Sequence, residues 1–171
     1  MKREIDAIIF DLGDTLIRQC ADDVLPLNEL KLVLLPGVKE TLASLSGTYR
    51  LGVLSNTFQS TSGNVTSALQ YLGVAQYFAA VVTSVDTGVA KPDPRAFDAI
   101  IRRLSVNVNA ALMVGNDPVQ DIEGARKAGI NTAYFASPGT PRHPLADLQF
   151  SLFLDLPAAI SELFREGRCG E

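Results

Sequence analysis

The chain has 171 residues, 47% hydrophobic and 20% charged, a composition that builds one sizeable core and excludes the disordered class. Its formal net charge is −4, from 15 Lys and Arg against 19 Asp and Glu, with no long basic run, which excludes nucleic-acid binding by electrostatics. No apolar stretch approaches the roughly 20 residues of a membrane span, and the first six residues do not form a signal peptide, so no membrane partner is expected.

Short apolar runs alternate with helical patterns along the chain. The runs are Ile5 to Phe10, Tyr49 to Leu54, Ala79 to Thr83, Ala110 to Val114 and Asn131 to Phe135. They are rich in Ile, Val, Phe or Ala and scarcely alternate, as strands buried on both faces of a parallel sheet do. Between them, Val38 to Ser46 follows the turn signal Pro36-Gly37, and Asn64 to Leu72 stops at Gly73. Asp93 to Leu104 and Asp117 to Ala128 each open with Asp-Pro, an N-cap followed by proline at the first helical position. A last helix is expected from Leu156 to Glu166. This alternation predicts an α/β fold, a doubly wound, Rossmann-like parallel sheet of about five strands with flanking helices. The whole of 1–171 reads as a single core domain, with 17–35 as a small flap and 136–171 as a C-terminal extension and helix. Cys20 and Cys169 lack metal-type spacing and read as reduced thiols of a cytoplasmic protein. His143, the single histidine, lies in a Pro-rich stretch and reads as a surface residue.

In such sheets ligands gather at the carboxyl ends of the strands. The polar residues that follow the runs are Asp11-Leu12-Gly13-Asp14-Thr15, Ser55-Asn56-Thr57, Lys91-Pro92, and Asn116-Asp117 with Asp121. Each has a plain structural reading when taken singly: a turn, a cap or a solvated lysine. Their arrangement at successive strand ends points to a common site.

Four segments, in order, resemble the motifs of the haloacid dehalogenase-like hydrolase superfamily. They are Phe10 to Leu16, Leu54-Ser55-Asn56, Ala90 to Pro94, and Val114 to Asp121 continuing to Gly124-Ala125. The resemblance implies a magnesium-dependent phosphohydrolase that passes through an aspartyl-phosphate on Asp11. It implies Lys91 as the catalytic cation, and Ser55 and Asn56 as phosphate-binding residues. It implies Mg2+ held by Asp11 and the Gly13 carbonyl, with Asn116, Asp117 and Asp121 completing the metal site. The chemistry agrees. A carboxylate facing a phosphate about 4 Å away is opposed by roughly 4 kcal/mol per charge pair at an effective dielectric near 20, and a hard cation removes that repulsion.

Two positions depart from the family pattern. Its phosphatases usually carry a second aspartate two residues after the nucleophile, where this chain has Gly13; losing such an acid–base group costs about 10² to 10⁴ in rate. Adjacent Asp14 points the opposite way in an extended segment and is not given that role. The family often has aspartate where this chain has Asn116, so either Asn116 or Asp117 is the direct metal ligand. A weakly active or inactive binding module is the alternative these departures raise. Dehalogenase relatives carry an aromatic residue at the Gly13 position and phosphonate-cleaving relatives an alanine, so Gly13 matches neither.

The intervals Leu16 to Leu54 and Thr57 to Ala90 leave no room for a full cap domain. The site is therefore expected to be open, suited to a large phosphorylated substrate or to a homo-oligomer whose neighbour closes it. The leucine-rich stretch Leu25 to Leu35 is a contact surface for the second case.

Overall fold

The computed structural model describes residues 4–18 and 25–165. Cys20, Cys169, Glu166 and the polar segment Ala21-Asp22-Asp23 lie outside the described residues. Six parallel strands form one sheet in the order β3-β2-β1-β4-β5-β6. They are β1 Ala7–Phe10, β2 Arg50–Ser55, β3 Phe78–Thr83, β4 Ala111–Gly115, β5 Asn131–Phe135 and β6 Leu148–Phe150. The doubly wound α/β sheet is as the apolar runs predict, with one strand more.

That extra strand has only three residues and follows a Pro- and Gly-rich stretch, so no apolar run announces it. Side chains hold it in place. The Thr132 N–H donates to Asp147 Oδ2 (2.9 Å) and Arg126 Nη2 to Asp147 Oδ1 (2.7 Å). Gln149 accepts from the His143 N–H (2.9 Å) and donates to the Thr140 carbonyl (3.0 Å).

The helices are α1 Val38–Ser46, α2 Ser62–Tyr71, α3 Ser84–Thr87, α4 Pro94–Leu104, α5 Gly124–Lys127 and α6 Leu156–Arg165. A π-helical turn, Pro118–Glu123, runs into α5. Strand residues alternate between two cores. Ile8, Phe10, Leu112 and Val114 join Val38 and Leu42 of α1, Val65 and Leu69 of α2, and Ile160 of α6. Ala7, Ile9, Ala111 and Met113 join Phe97, Ile100 and Leu104 of α4 and Ala125 of α5. Burying a side chain such as Phe10 or Phe97 stabilises the fold by about 1.5–3 kcal/mol. Leu27 and Leu32 of the leucine-rich stretch are buried in the first core rather than displayed, although Leu25 and Val33 remain exposed.

Parallel pairing puts the carboxyl ends of all six strands along one rim. The register aligns Phe10 with Val53 on one side and Val114 on the other. The loops after β1, β2 and β4 therefore leave the sheet side by side.

Candidate active site

Asp11 follows β1 directly, and its N–H donates to the Val114 carbonyl at 2.9 Å, which carries the sheet pairing one residue beyond the strand. The chain then turns tightly. The N–H groups of Leu16 and Ile17 both donate to the Leu12 carbonyl (2.9 and 3.1 Å), and the Asp14 N–H donates to the Ile17 carbonyl (2.7 Å). Asp14 takes a left-handed φ of 54° in this turn. Gly13 is not forced by space: a Cβ added there would meet nothing within 4 Å.

The Asp11 carboxylate has two kinds of neighbour. Its Oδ1 accepts from Lys91 Nζ at 2.7 Å, and its Oδ2 from Thr15 Oγ1 at 3.1 Å. Lys91 Nζ also donates to Asp121 Oδ1 at 2.6 Å. The Lys91 and Asp121 side chains are each 1% exposed, against 13% for Asp11, so Asp11 is the member of the triad that faces outward. Burial alone would lower the Lys91 ammonium, but the charges of Asp11 and Asp121 more than reverse it and hold the lysine well above its usual 10.5. Lys91 is a fixed cation here, not a proton donor. Burial pushes the Asp121 carboxyl up to about 6, against the pull of Lys91 and the Asp117 N–H. Asp121 Oδ2 accepts that N–H at 3.0 Å, so both carboxylate oxygens are engaged and the geometry serves the ionised form.

Glycines make these approaches possible. A Cβ at Gly115 would run into the Asp121 carboxylate, and one at Gly124 would come within 2.9 Å of Pro92, the residue after Lys91.

Asp117 and Asp121, which the resemblance places in the metal site, do not gather with Asp11 into a carboxylate cluster. Among the described residues, no three His, Cys, Asp or Glu groups gather in metal-holding geometry. Asp117 caps its helix, its Oδ1 accepting from the N–H groups of Val119 (2.9 Å) and Gln120 (2.8 Å). Asp121 is committed to Lys91. The oxygens that do converge on Asp11 come from Gly13 and Asn116. One atom of the Asn116 amide lies 3.1 Å from Thr15 Oγ1, 3.2 Å from the Gly13 carbonyl and 3.3 Å from Asp11 Oδ2. With nitrogen in that place the amide donates to these oxygens. With oxygen there, Asp11 Oδ2, Gly13 O and Asn116 Oδ1 face one another, an arrangement that a hard, oxygen-seeking cation reconciles. The residues present fit Mg2+ through this set.

Ser55 closes β2 and is buried beside the paired Thr83 of β3. Asn56 has a role its sequence position did not suggest. Its side chain accepts from the Lys91 N–H (2.8 Å) and donates to the Lys91 carbonyl (2.9 Å) and to Gln120 Oε1 (2.9 Å). It therefore clamps the backbone of Lys91 and ties the β2 loop to the β4 loop. Thr15 and Gln120 were also missed. The buried hydroxyl of Thr15 could have been suspected from a polar residue locked between Asp14 and Leu16, whereas nothing in the sequence marks Gln120.

A family model described as haloacid dehalogenase-like hydrolase matches residues 14–135. The chain belongs to this family of hydrolases. Among similar family proteins, a phosphoglycolate phosphatase of Caulobacter vibrioides is 32% identical over 158 residues, 90% of this chain and 61% of that one. A glyceraldehyde 3-phosphate phosphatase of Methanothermobacter thermautotrophicus is 38% identical over 97 residues, 56% of this chain and 42% of that one. The chain thus spans less than two thirds of the length of these curated relatives. Among solved structures, an uncharacterized protein from Listeria monocytogenes serotype 4b superposes with a TM-score of 0.83 at 29% identity, covering 93% of this chain and 98% of that one. A 2-haloacid dehalogenase from Pseudomonas syringae shares the fold, with a TM-score of 0.76 at 22% identity over 92% of this chain and 99% of that one.

Proposed function

We propose that this hydrolase cleaves a phosphomonoester or an acyl phosphate, with Asp11 as nucleophile and Mg2+ as cofactor. The observation that carries the reading is the two-sided environment of Asp11. One oxygen is held by the buried ammonium of Lys91, and the other lies 3.3 Å from the Asn116 amide, which also lies 3.2 Å from the Gly13 carbonyl. An Asp11 oxygen forms the new bond to phosphorus, and the leaving oxygen departs with the electron pair of the broken P–O bond. Water then attacks the phosphorus of the aspartyl-phosphate and releases phosphate and the carboxylate. Lys91 stabilises the charge on the transferring group. Ser55 Oγ and the Asn56 N–H serve phosphate oxygens at the end of β2. Asp11, Gly13 and Asn116 would hold Mg2+, which would supply the positive charge that lets two anions meet. Asp117 and Asp121 support the site as helix cap and lysine partner.

The relatives' names point to phosphatases, and phosphate esters are the substrates considered for this chain. An open, uncapped mouth and a cytoplasmic setting are part of the same reading. Among the described residues no helix is long and apolar enough to cross a membrane. The test is hydrolysis of p-nitrophenyl phosphate with and without Mg2+, for wild type and Asp11→Asn. Turnover that needs Mg2+ and falls by at least about a thousandfold in Asp11→Asn supports the assignment. Turnover indifferent to either change overturns it, and absence of turnover overturns it in favour of the binding-module alternative.

A further inference from the structure

The proposed phosphate-binding residues are polar and largely buried, but the loops after β2 and β4 that help to form the site each carry a large exposed apolar side chain. Phe58 is 82% exposed and Val119 is 51% exposed. Phe58 lies two residues beyond Asn56, and Val119 directly precedes Gln120. The 2.9 Å bond between Asn56 Nδ2 and Gln120 Oε1 joins these two loops, so both apolar residues belong to one stretch of rim at the carboxyl end of the sheet.

The rim is held firmly. The Thr57 N–H donates to Ser84 Oγ at 2.9 Å, Ser84 Oγ donates to the Thr57 carbonyl at 3.1 Å, and Thr57 Oγ1 donates to the Ser60 carbonyl at 2.7 Å. Ser60 Oγ in turn accepts from the Leu27 N–H at 2.9 Å. Phe58 therefore rides on a turn fixed at both ends. Val119 sits in the turn capped by Asp117.

We propose that Phe58 and Val119 receive the leaving group and make this chain selective for phosphate esters of aromatic alcohols, an inference that rests on the phosphohydrolase reading above. The covalent link between phosphorus and its leaving group puts that group where the polar site ends, at this rim. An aromatic ring gains most from such a surface, because a phenylalanine face offers stacking or edge contacts beyond simple burial. The reaction also favours it. Gly13 brings no acid to protonate the departing oxygen. When an Asp11 oxygen bonds to phosphorus and the P–O(aryl) bond breaks, the electron pair leaves on a phenolate, which solvent protonates. A phenol has a pKa near 10, whereas water's is about 16 and simple alcohols lie close to water, so only the aromatic group leaves readily without help.

The probes are 2-naphthyl phosphate, an aryl ester, and acetyl phosphate, an acyl phosphate anhydride; both have good leaving groups but only one bears a ring. They are compared in Mg2+-containing buffer for wild type, Phe58→Ala, Phe58→Tyr and Phe58→Ala/Val119→Ser. The expected result is a five- to tenfold fall in the ratio of kcat/KM for naphthyl over acetyl phosphate in Phe58→Ala. The fall should arise from KM, deepen in the double variant and be restored in Phe58→Tyr. An unchanged ratio in the double variant overturns the proposal. So does wild-type cleavage of acetyl phosphate without cleavage of the naphthyl ester, which would leave the phosphohydrolase reading standing. Cleavage of neither overturns both.

Discussion

Lys91 Nζ lies 2.6 Å from Asp121 Oδ1, at least as close as it lies to Asp11, although only Asp11 faces the open side of the site. The cation beside Asp11 is thus anchored from beneath by a buried carboxylate, and the stability of the fold and the arrangement of the site share one ion pair.

Removing the lysine alone strands Asp121. Lys91→Met is expected to lower unfolding free energy at pH 7 by about 3–5 kcal/mol, the usual result of leaving a buried charge unpaired. Lys91→Met/Asp121→Asn should recover about half of the loss while remaining inactive. The pH response has a definite sign. Asp121 without Lys91 has a folded-state pKa further above its usual 3.8, so the folded state takes up protons that the unfolded state does not. The single variant should gain stability as pH falls from 7 through 6 toward 4, and the double variant should lack that gain. Urea unfolding across this range measures both.

Gly115→Ala tests the close approach of Asp121. Its methyl group would occupy the place of the carboxylate, so either Asp121 or the end of β4 must move. A loss of about 1–3 kcal/mol is expected, with a fall in kcat as Lys91 loses its anchor. Thermal unfolding together with p-nitrophenyl phosphate turnover reads both effects. Wild-type values for both would show that the site tolerates a shifted Asp121.

Gly13→Asp should fold normally, because the space around that Cβ is open and Gly13 is not among the glycines with positive φ. It places a carboxyl where an acid–base group can serve the leaving oxygen. Hydrolysis of an alkyl phosphate such as glycerol phosphate should rise by about 10²-fold or more, and hydrolysis of acetyl phosphate much less. Equal change on the two substrates would mean that some other group already donates the proton.

Asn116→Asp puts a second negative charge beside Asp11. The Mg2+ concentration for half-maximal activity should drop by about tenfold, since ligand charge sets affinity for hard cations. Asp117→Ala should leave that concentration unchanged and cost only about 1 kcal/mol through the lost cap. A titration of Mg2+ by calorimetry gives the affinities without relying on turnover.

The scaffold was legible because buried parallel strands have a simple signature. The run Asn131 to Phe135 coincides with β5, and the Asp-Pro pairs at Asp93 and Asp117 do cap helices. What the chain order hides is how a carboxylate spends its oxygens. Asp117 and Asp121 sit one helical turn apart, and that spacing promises a shared face. The structure sends one to backbone N–H groups and the other to Lys91, through a π-helical turn that an α-helical period does not describe. The Asn56 clamp was hidden for a related reason. Its partner, the Lys91 backbone, is 35 residues away, and nothing local to Asn56 distinguishes a clamp from a turn.

Just past the loop that carries Asp11, Ile17 bridges antiparallel to Leu34. The Leu35 N–H donates to the Leu16 carbonyl at 2.9 Å and the Arg18 N–H to the Val33 carbonyl at 3.0 Å. Outgoing and returning chain are stapled together at the mouth of the site. Such a staple is a splice point. Any folded module whose two ends lie close could be inserted beyond it without disturbing Asp11, and each doubling of the connecting length would cost only about 0.6 kcal/mol. Enclosure and chemistry are thereby separable traits, and a lid could be grafted here as an engineering step independent of the catalytic residues.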